Sequence, residues 1–270
     1  MRRPGPAPRS GRSRRAGRPG LIILALLALL LDGLGAPRPA EARGAVATRQ
    51  VQLARGVARP LPTTLWYRTP LTGRHPIILF SHGLGGSPQQ FAPLAAGWAE
   101  AGYVVAAPAY PHTNGRGPVD RRDIVNQPAD AAYVIDAVRD LDGVAGDALA
   151  GHLDVDRVAA VGFSAGGTTT LGLFGPGHAP YLRAGVSISG RRPPAGFGGP
   201  VAPLLFVHGD RDPVVPIRAG RQAYATAPVP KQFVTVGGAG HGEFLLPGDG
   251  RYKRVTRRVL AFLTANVPVA

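Results

Sequence analysis

The 270 residues are 44% apolar and 17% charged, a globular composition at a length that fits one large α/β domain. The absence of cysteine excludes disulfides, a cysteine-based zinc site, a thiol nucleophile and a lipid-modified N-terminal cysteine, so stability has to come from the core. The formal net charge is +15, yet the arginines are scattered and not interleaved with aromatics on one periodic face, which argues against nucleic-acid binding.

The first 20 residues carry seven arginines and no acid, and the unbroken apolar stretch 21–31 follows. That is the layout of a signal peptide. Eleven apolar residues are too few for a membrane span, which takes about 20, and Asp32 and Gly33 interrupt the run. "PAEA" at 39–42 offers an Ala-x-Ala cleavage site, so the expectation is export with residues 1–42 removed, leaving one domain over 43–270 and no stable membrane span. Ser13-Arg14-Arg15 is similar to the start of a twin-arginine signal, but Gly17 and Arg18 stand where apolar residues belong, and the export route stays open. Removing eight arginines and two acids leaves 23 basic and 14 acidic residues, so the mature chain is still basic at +9.

Residues 43–62 lack strong periodicity. Beyond them the apolar runs are short, β-branched and closed by Gly, Pro or Asp, as buried parallel strands are. They predict strands at 63–67, 77–81, 103–107, 157–161, 185–188, 204–208 and 232–236. Between them stand helical patterns: "SPQQFAPLAAGWAEAG", with a Ser N-cap and Pro next to it, and "PADAAYVIDAVRDL", with apolar spacings of three and four. "RYKRVTRRVLAFLTANV" reads as a closing helix. Alternation of this kind implies a mostly parallel sheet with helices on both faces, and ligands then bind beyond the carboxyl ends of the strands. Segments 111–122 and 191–200 are too short or too rich in Gly and Pro to form a cap domain, so an open site shaped by these loops is expected.

Four polar motifs each follow a predicted strand: "FSHGLGGS", "GFSAGG", "HGDRDPVVP" and "GGAGHGEF". Gly-x-Ser-x-Gly alone is weak, because 38 Gly and seven Ser produce it by chance about 0.14 times in a chain of this length. Its position after a strand is what gives it meaning. A nucleophile elbow places Ser on a tight strand-to-helix turn with small residues around it, and Gly162, Gly166 and Gly167 supply them for Ser164. A serine hydroxyl needs an imidazole to take its proton and a carboxylate to hold the imidazole's tautomer. Ser164, Asp212 and His241 occur in the order Ser, acid, His that sheet hydrolases use. Asp210 competes with Asp212; Pro213 turns the chain away just after Asp212, which favours Asp212, while Asp210 suits an Asx-type bond to the backbone two residues on. The main-chain N–H groups of Leu84 and Ala165 are the natural donors to a developing oxyanion. His82 and His208 sit at strand ends, where a structural hydrogen bond is the commoner role, and His75, His112, His152 and His178 read as surface or loop residues. There is no His-x-x-x-His pair or His-Glu cluster, so no metal or other cofactor is expected.

"RPLPTTLWYRTP", "ILFSHGLGGSPQQF", "GYVVAAPAYPH", "QPADAAYVIDAV" and "VDRVAAVGFSAGG" resemble, in order and spacing, the α/β-hydrolase superfamily over about 59–266. They are nearest to dienelactone-hydrolase-like serine hydrolases, with platelet-activating-factor acetylhydrolases and cutinase-type polyester hydrolases as relatives. The resemblance implies Ser164 as nucleophile, His241 as base, Asp212 as acid, and Leu84 and Ala165 as oxyanion donors. The chain departs from the pattern in two places. Dienelactone hydrolases use Cys where Ser164 stands, and polyester hydrolases usually carry His and Met where this chain has Phe163 and Ala165. The expectation is hydrolysis of carboxylic esters with short to medium acyl chains, the ester being a small molecule or a polymer. A peptidase or amidase of the same fold and a catalytically inactive binding protein are the other readings.

Overall fold

The computed structural model describes residues 44–270; the signal-peptide reading of residues 1–42 lies outside the described residues. Among these residues eight strands form one sheet in the order β1-β2-β4-β3-β5-β6-β7-β8, made of β1 (Ala45–Ala54), β2 (Pro60–Thr69), β3 (His75–Ser81), β4 (Val104–Pro108), β5 (Leu153–Phe163), β6 (Leu182–Ile188), β7 (Leu204–Gly209) and β8 (Lys231–Val236). The pairs β1·β2 and β2·β4 are antiparallel, and from β4 to β8 every pair is parallel. Every residue of β3, β4 and β7 is buried, which is why these strands read as continuous apolar runs without alternation.

Among the described residues five α-helices cover the two faces: α1 (Ala92–Glu100), α2 (Gln127–Asp140), α3 (Ala165–Leu173), α4 (Ile217–Thr226) and α5 (Tyr252–Asn266). Trp98 of α1 and Phe262 of α5 join Ile78, Phe80 and Val105 in one core; Val134 of α2, Leu171 of α3 and Ala223 of α4 join Ile77, Leu79 and Val104 in the other. The alternation of strand side chains between the faces thus feeds two cores from one sheet. The stretch expected to open a helix at Ser87 begins as a 3-10 turn over Pro88–Phe91, with the Ser87 N–H donating to Gln90 Oε1 at 3.2 Å, before α1 proper starts.

All seven expected strands are present, each lengthened by zero to four residues at an end or shifted by one. Two elements go beyond the sequence reading. β1 occupies part of the segment read as lacking periodicity, because Arg49 holds one of its inward positions and is paired there with Asp147 at 2.6 Å. α4 was not expected, having only Gly220 and Ala223 buried. His75, read as a surface or loop residue, is instead buried in β3, where its Nδ1 bonds the Gly102 carbonyl at 2.7 Å. Arg59, just before β2, reaches Asp123 at 2.8 Å and the fully buried Asp130 of α2 at 2.5 Å. This pairing raises the Arg59 guanidinium above its ordinary value and clips the antiparallel part of the sheet to α2.

Candidate active site

β5 ends at Phe163 and α3 begins at Ala165, so Ser164 alone makes the turn between them, at φ 55° and ψ −114°. A non-glycine residue there is strained and is held by its surroundings: the Ser164 N–H donates to the Ile188 carbonyl at 2.8 Å. The flanking glycines follow from crowding. A Cβ on Gly162 would overlap the Gly166 carbonyl, and one on Gly166 would overlap the Ser81 carbonyl of β3. Chain packing therefore demands glycine on both sides of this serine.

The Ser164 Oγ–H donates to His241 Nε2 at 2.9 Å, and His241 Nδ1–H donates to Asp212 Oδ2 at 2.7 Å. The other oxygen, Oδ1, accepts the N–H groups of Val214 at 2.9 Å and Val215 at 2.8 Å. Burial would raise the Asp212 carboxyl, but the bonds from His241, Val215 and Val214 outweigh it and hold the group below its ordinary range. Behind it His208, buried, donates from Nε2 to the Val215 carbonyl at 2.8 Å; burial lowers its pKa and keeps it neutral beside the carboxylate. The Phe163 ring packs on the His241 ring at 5.0 Å between centroids.

Asp210 is exposed, and its Oδ1 accepts the Gly238 N–H at 2.7 Å, tying the loop after β7 to the loop after β8. It braces the loop as expected, but across to the neighbouring strand's loop; the local Asx bond two residues on is made by Asp212 to Val214.

The N–H groups of Leu84 and Ala165 face no main-chain or side-chain acceptor among the described residues, and both residues line the cleft at Ser164. The Gly83 carbonyl, in the same peptide unit as the Leu84 N–H, accepts from His82 Nδ1 at 2.7 Å and from the Gly86 N–H at 2.9 Å. A trans peptide points its C=O and N–H in opposite directions, so anchoring that carbonyl aims the Leu84 N–H away from the anchor. His82 is itself fixed, because its Nε2 accepts the Tyr110 N–H at 3.3 Å, and burial lowers its pKa so that it stays neutral. Tyr110 bonds Ser81 from its hydroxyl at 2.8 Å, and burial pushes its phenol upwards.

The cleft above Ser164 has a volume of about 550 Å³ and is walled by Leu84, Ile124, Thr168, Arg191 and Val215. Arg121 also lines it. The sequence reading named the loops that carry Arg121 and Arg191 as shaping the pocket but did not single out these residues. Their position after the carboxyl ends of β4 and β6 is the signal that could have found them. Among the described residues no cluster of His, Cys, Asp and Glu forms a metal site, and no helix is long and apolar enough to cross a membrane.

A mostly parallel sheet with β2 antiparallel beside β4 and a serine on a sharp turn after β5 is the architecture of the α/β-hydrolase superfamily. Residues 65–263 match the model of the dienelactone hydrolase family, and the chain belongs to that family of hydrolases. No curated protein matches the chain.

Proposed function

We propose that this protein is an exported serine hydrolase of carboxylic esters with short to medium acyl chains, working through an acyl-enzyme. The observation that carries the reading is the continuous relay from Ser164 Oγ through His241 to Asp212, opening on a cleft with two unpaired main-chain N–H groups. Ser164 attacks the ester carbonyl while His241 Nε2 takes its proton, and the carbonyl electron pair moves onto an oxyanion held by the N–H groups of Leu84 and Ala165. Collapse expels the alcohol, which receives the proton from His241. Water then repeats the sequence on the acyl-enzyme, giving its proton to His241 and releasing the acid and free Ser164. Asp212 holds the Nδ1–H tautomer, so Nε2 is free to act as base. The preference for shorter acyl chains is supported by an open cleft with no cap helix among the described residues above it. Export rests on the layout of residues 1–42.

The test is turnover of p-nitrophenyl acetate, butyrate and octanoate by the purified protein, with burst kinetics and fluorophosphonate labelling that disappear in Ser164→Ala. Activity on peptide amides exceeding that on esters in kcat/KM would replace the esterase by an amidase. Failure of Ser164 to label at all would leave a binding protein.

A further inference from the structure

The outer side of α5 breaks the rules that stabilise a helix. Lys253, Arg254, Arg257 and Arg258 are all exposed, and the helix contains no acidic residue. At about 100° per residue the four lie within an arc of about 140°, opposite the buried stripe of Val255, Val259, Phe262 and Leu263. Lys253 with Arg257, and Arg254 with Arg258, are like-charge pairs four residues apart, and Lys253 and Arg254 stand in the first turn, where the helix dipole is already positive. Each of these arrangements costs stability. The neighbours offer no counter-charge: Arg257 donates to the Lys253 carbonyl at 3.1 Å and Arg258 to the Gln232 side-chain oxygen of β8, both neutral acceptors. No carboxylate among the described residues pairs with any of the four, while Asp249 and Glu243 are engaged by Arg251 at 2.6 Å and 3.4 Å.

The cationic half of α5 is the half next to the loop that carries His241. Arg251, at the helix start, bonds Glu243, whereas beyond the helix end the Val267 carbonyl accepts the hydroxyl of Tyr103, just before β4, at the other edge of the sheet. A convex ridge of cations cannot enclose a small anion, so its partner is extended. The rest of the exposed face is Ala261, Thr264 and Ala265, with no large apolar side chain to enter hydrocarbon, which makes the contact electrostatic and peripheral. The four charges form a block about two turns long instead of a line along the whole helix, which suits a plane of headgroups better than a single thread of polyanion.

We propose that this face of α5 adsorbs to a bilayer surface rich in anionic phospholipid. The anionic headgroups supply the counter-charges that the fold withholds. Binding is separate from the chemistry at Ser164, so its failure leaves the ester-hydrolase reading untouched.

Residues 43–270 form a compact unit that contains both cores, and this unit is used, with a thermal melt to show that it is folded. Its partition is measured by co-sedimentation with vesicles of phosphatidylglycerol and phosphatidylcholine in equal parts and with vesicles of phosphatidylcholine alone. The expected result is binding to the anionic vesicles only, weakening as salt is raised. Each basic residue near such a surface is worth about fivefold in partition, so Lys253→Glu/Arg254→Glu should lose binding by more than about tenfold. The same variant places acids in the first turn and opposite-charge pairs at both four-residue spacings, so it should melt a few degrees higher. Should it melt lower, Lys253→Gln/Arg254→Gln, which only neutralises, is read in its place and should still bind about tenfold less. Arg218→Glu/Arg221→Glu makes the same charge change on α4, which packs in the other core, and should retain most of the binding. Equal loss in the α4 variant would assign the effect to net charge and overturn the docking face. Equal binding to both kinds of vesicle, or to neither, overturns it as well, and retention on a sulfated polysaccharide with no partition onto the anionic vesicles would hand the face to a soluble polyanion.

Discussion

Asp212 has both carboxylate oxygens occupied by N–H donors, one from His241 and two from the backbone, while Asp210 accepts a single bond on an exposed loop. Replacement by asparagine separates the two roles. Asp212→Asn keeps the shape but presents an amide that can donate towards His241 and favours the wrong tautomer; kcat is expected to fall on the order of 10⁴ while the protein remains folded. Asp210→Asn is expected to keep kcat within about twofold and to lower stability by about 0.5–1 kcal/mol through its loop bond. Steady-state kinetics and thermal melts of the two variants check this pair, and the reverse pattern would move the acid to Asp210. The chain order of Ser164, acid and His241 was legible because it follows from where strands end. The choice between the aspartates rested on Pro213, and the loop bond of Asp210 was not legible, since its partner Gly238 lies 28 residues away and no local pattern encodes it.

At the scale of elements, the loop after β3 is braced by a buried imidazole. His82→Leu removes the donor to the Gly83 carbonyl and leaves the Tyr110 N–H without its acceptor. The peptide unit that carries the Leu84 N–H then keeps only the Gly86 N–H as anchor, and kcat is expected to fall by up to about 10² with KM changed much less. His82→Gln, which can still donate and accept, should recover part of the loss; kcat and KM of both variants provide the check. The elements themselves were legible in proportion to their burial. β3, β4 and β7, buried along their whole length, stood out as apolar runs. β1 did not, because an edge strand buries one face and this one spends an inward position on Arg49, whose partner Asp147 comes from a distant loop. α4 escaped for a related reason. Only Gly220, which packs against the His208 ring and contributes no side chain, and Ala223 are buried in it, so no run of large apolar residues marks it.

For the molecule as a whole, two buried neutral histidines make stability depend on pH above the carboxylate range. His82 and His208 are lowered from their ordinary value of 6.5, chiefly by burial. Below about pH 6.5 the unfolded chain binds protons that the folded one refuses, so the stability present above that value is lost as pH falls. Melting temperature is expected to drop between about pH 7 and pH 5, before carboxylates protonate, and His208→Gln should flatten the slope. Calorimetry across this window is the measurement; a Tm constant from pH 7 to pH 5 would contradict it.

In the proposed mechanism the left-handed backbone of Ser164 sets the chain's fitness for catalysis against its fitness for endurance. A residue in so sparsely populated a conformation costs of order 1–3 kcal/mol, which glycine does not incur. Ser164→Gly should therefore melt higher than Ser164→Ala by several degrees, although both have lost the same hydroxyl. Selection for heat resistance without a substrate in the assay would move this position towards glycine, and by the proposed mechanism a thermostable descendant obtained that way is expected to be inert. Library design on this scaffold has to hold the serine fixed, and to look for added stability where side chains do not have to meet a carbonyl carbon.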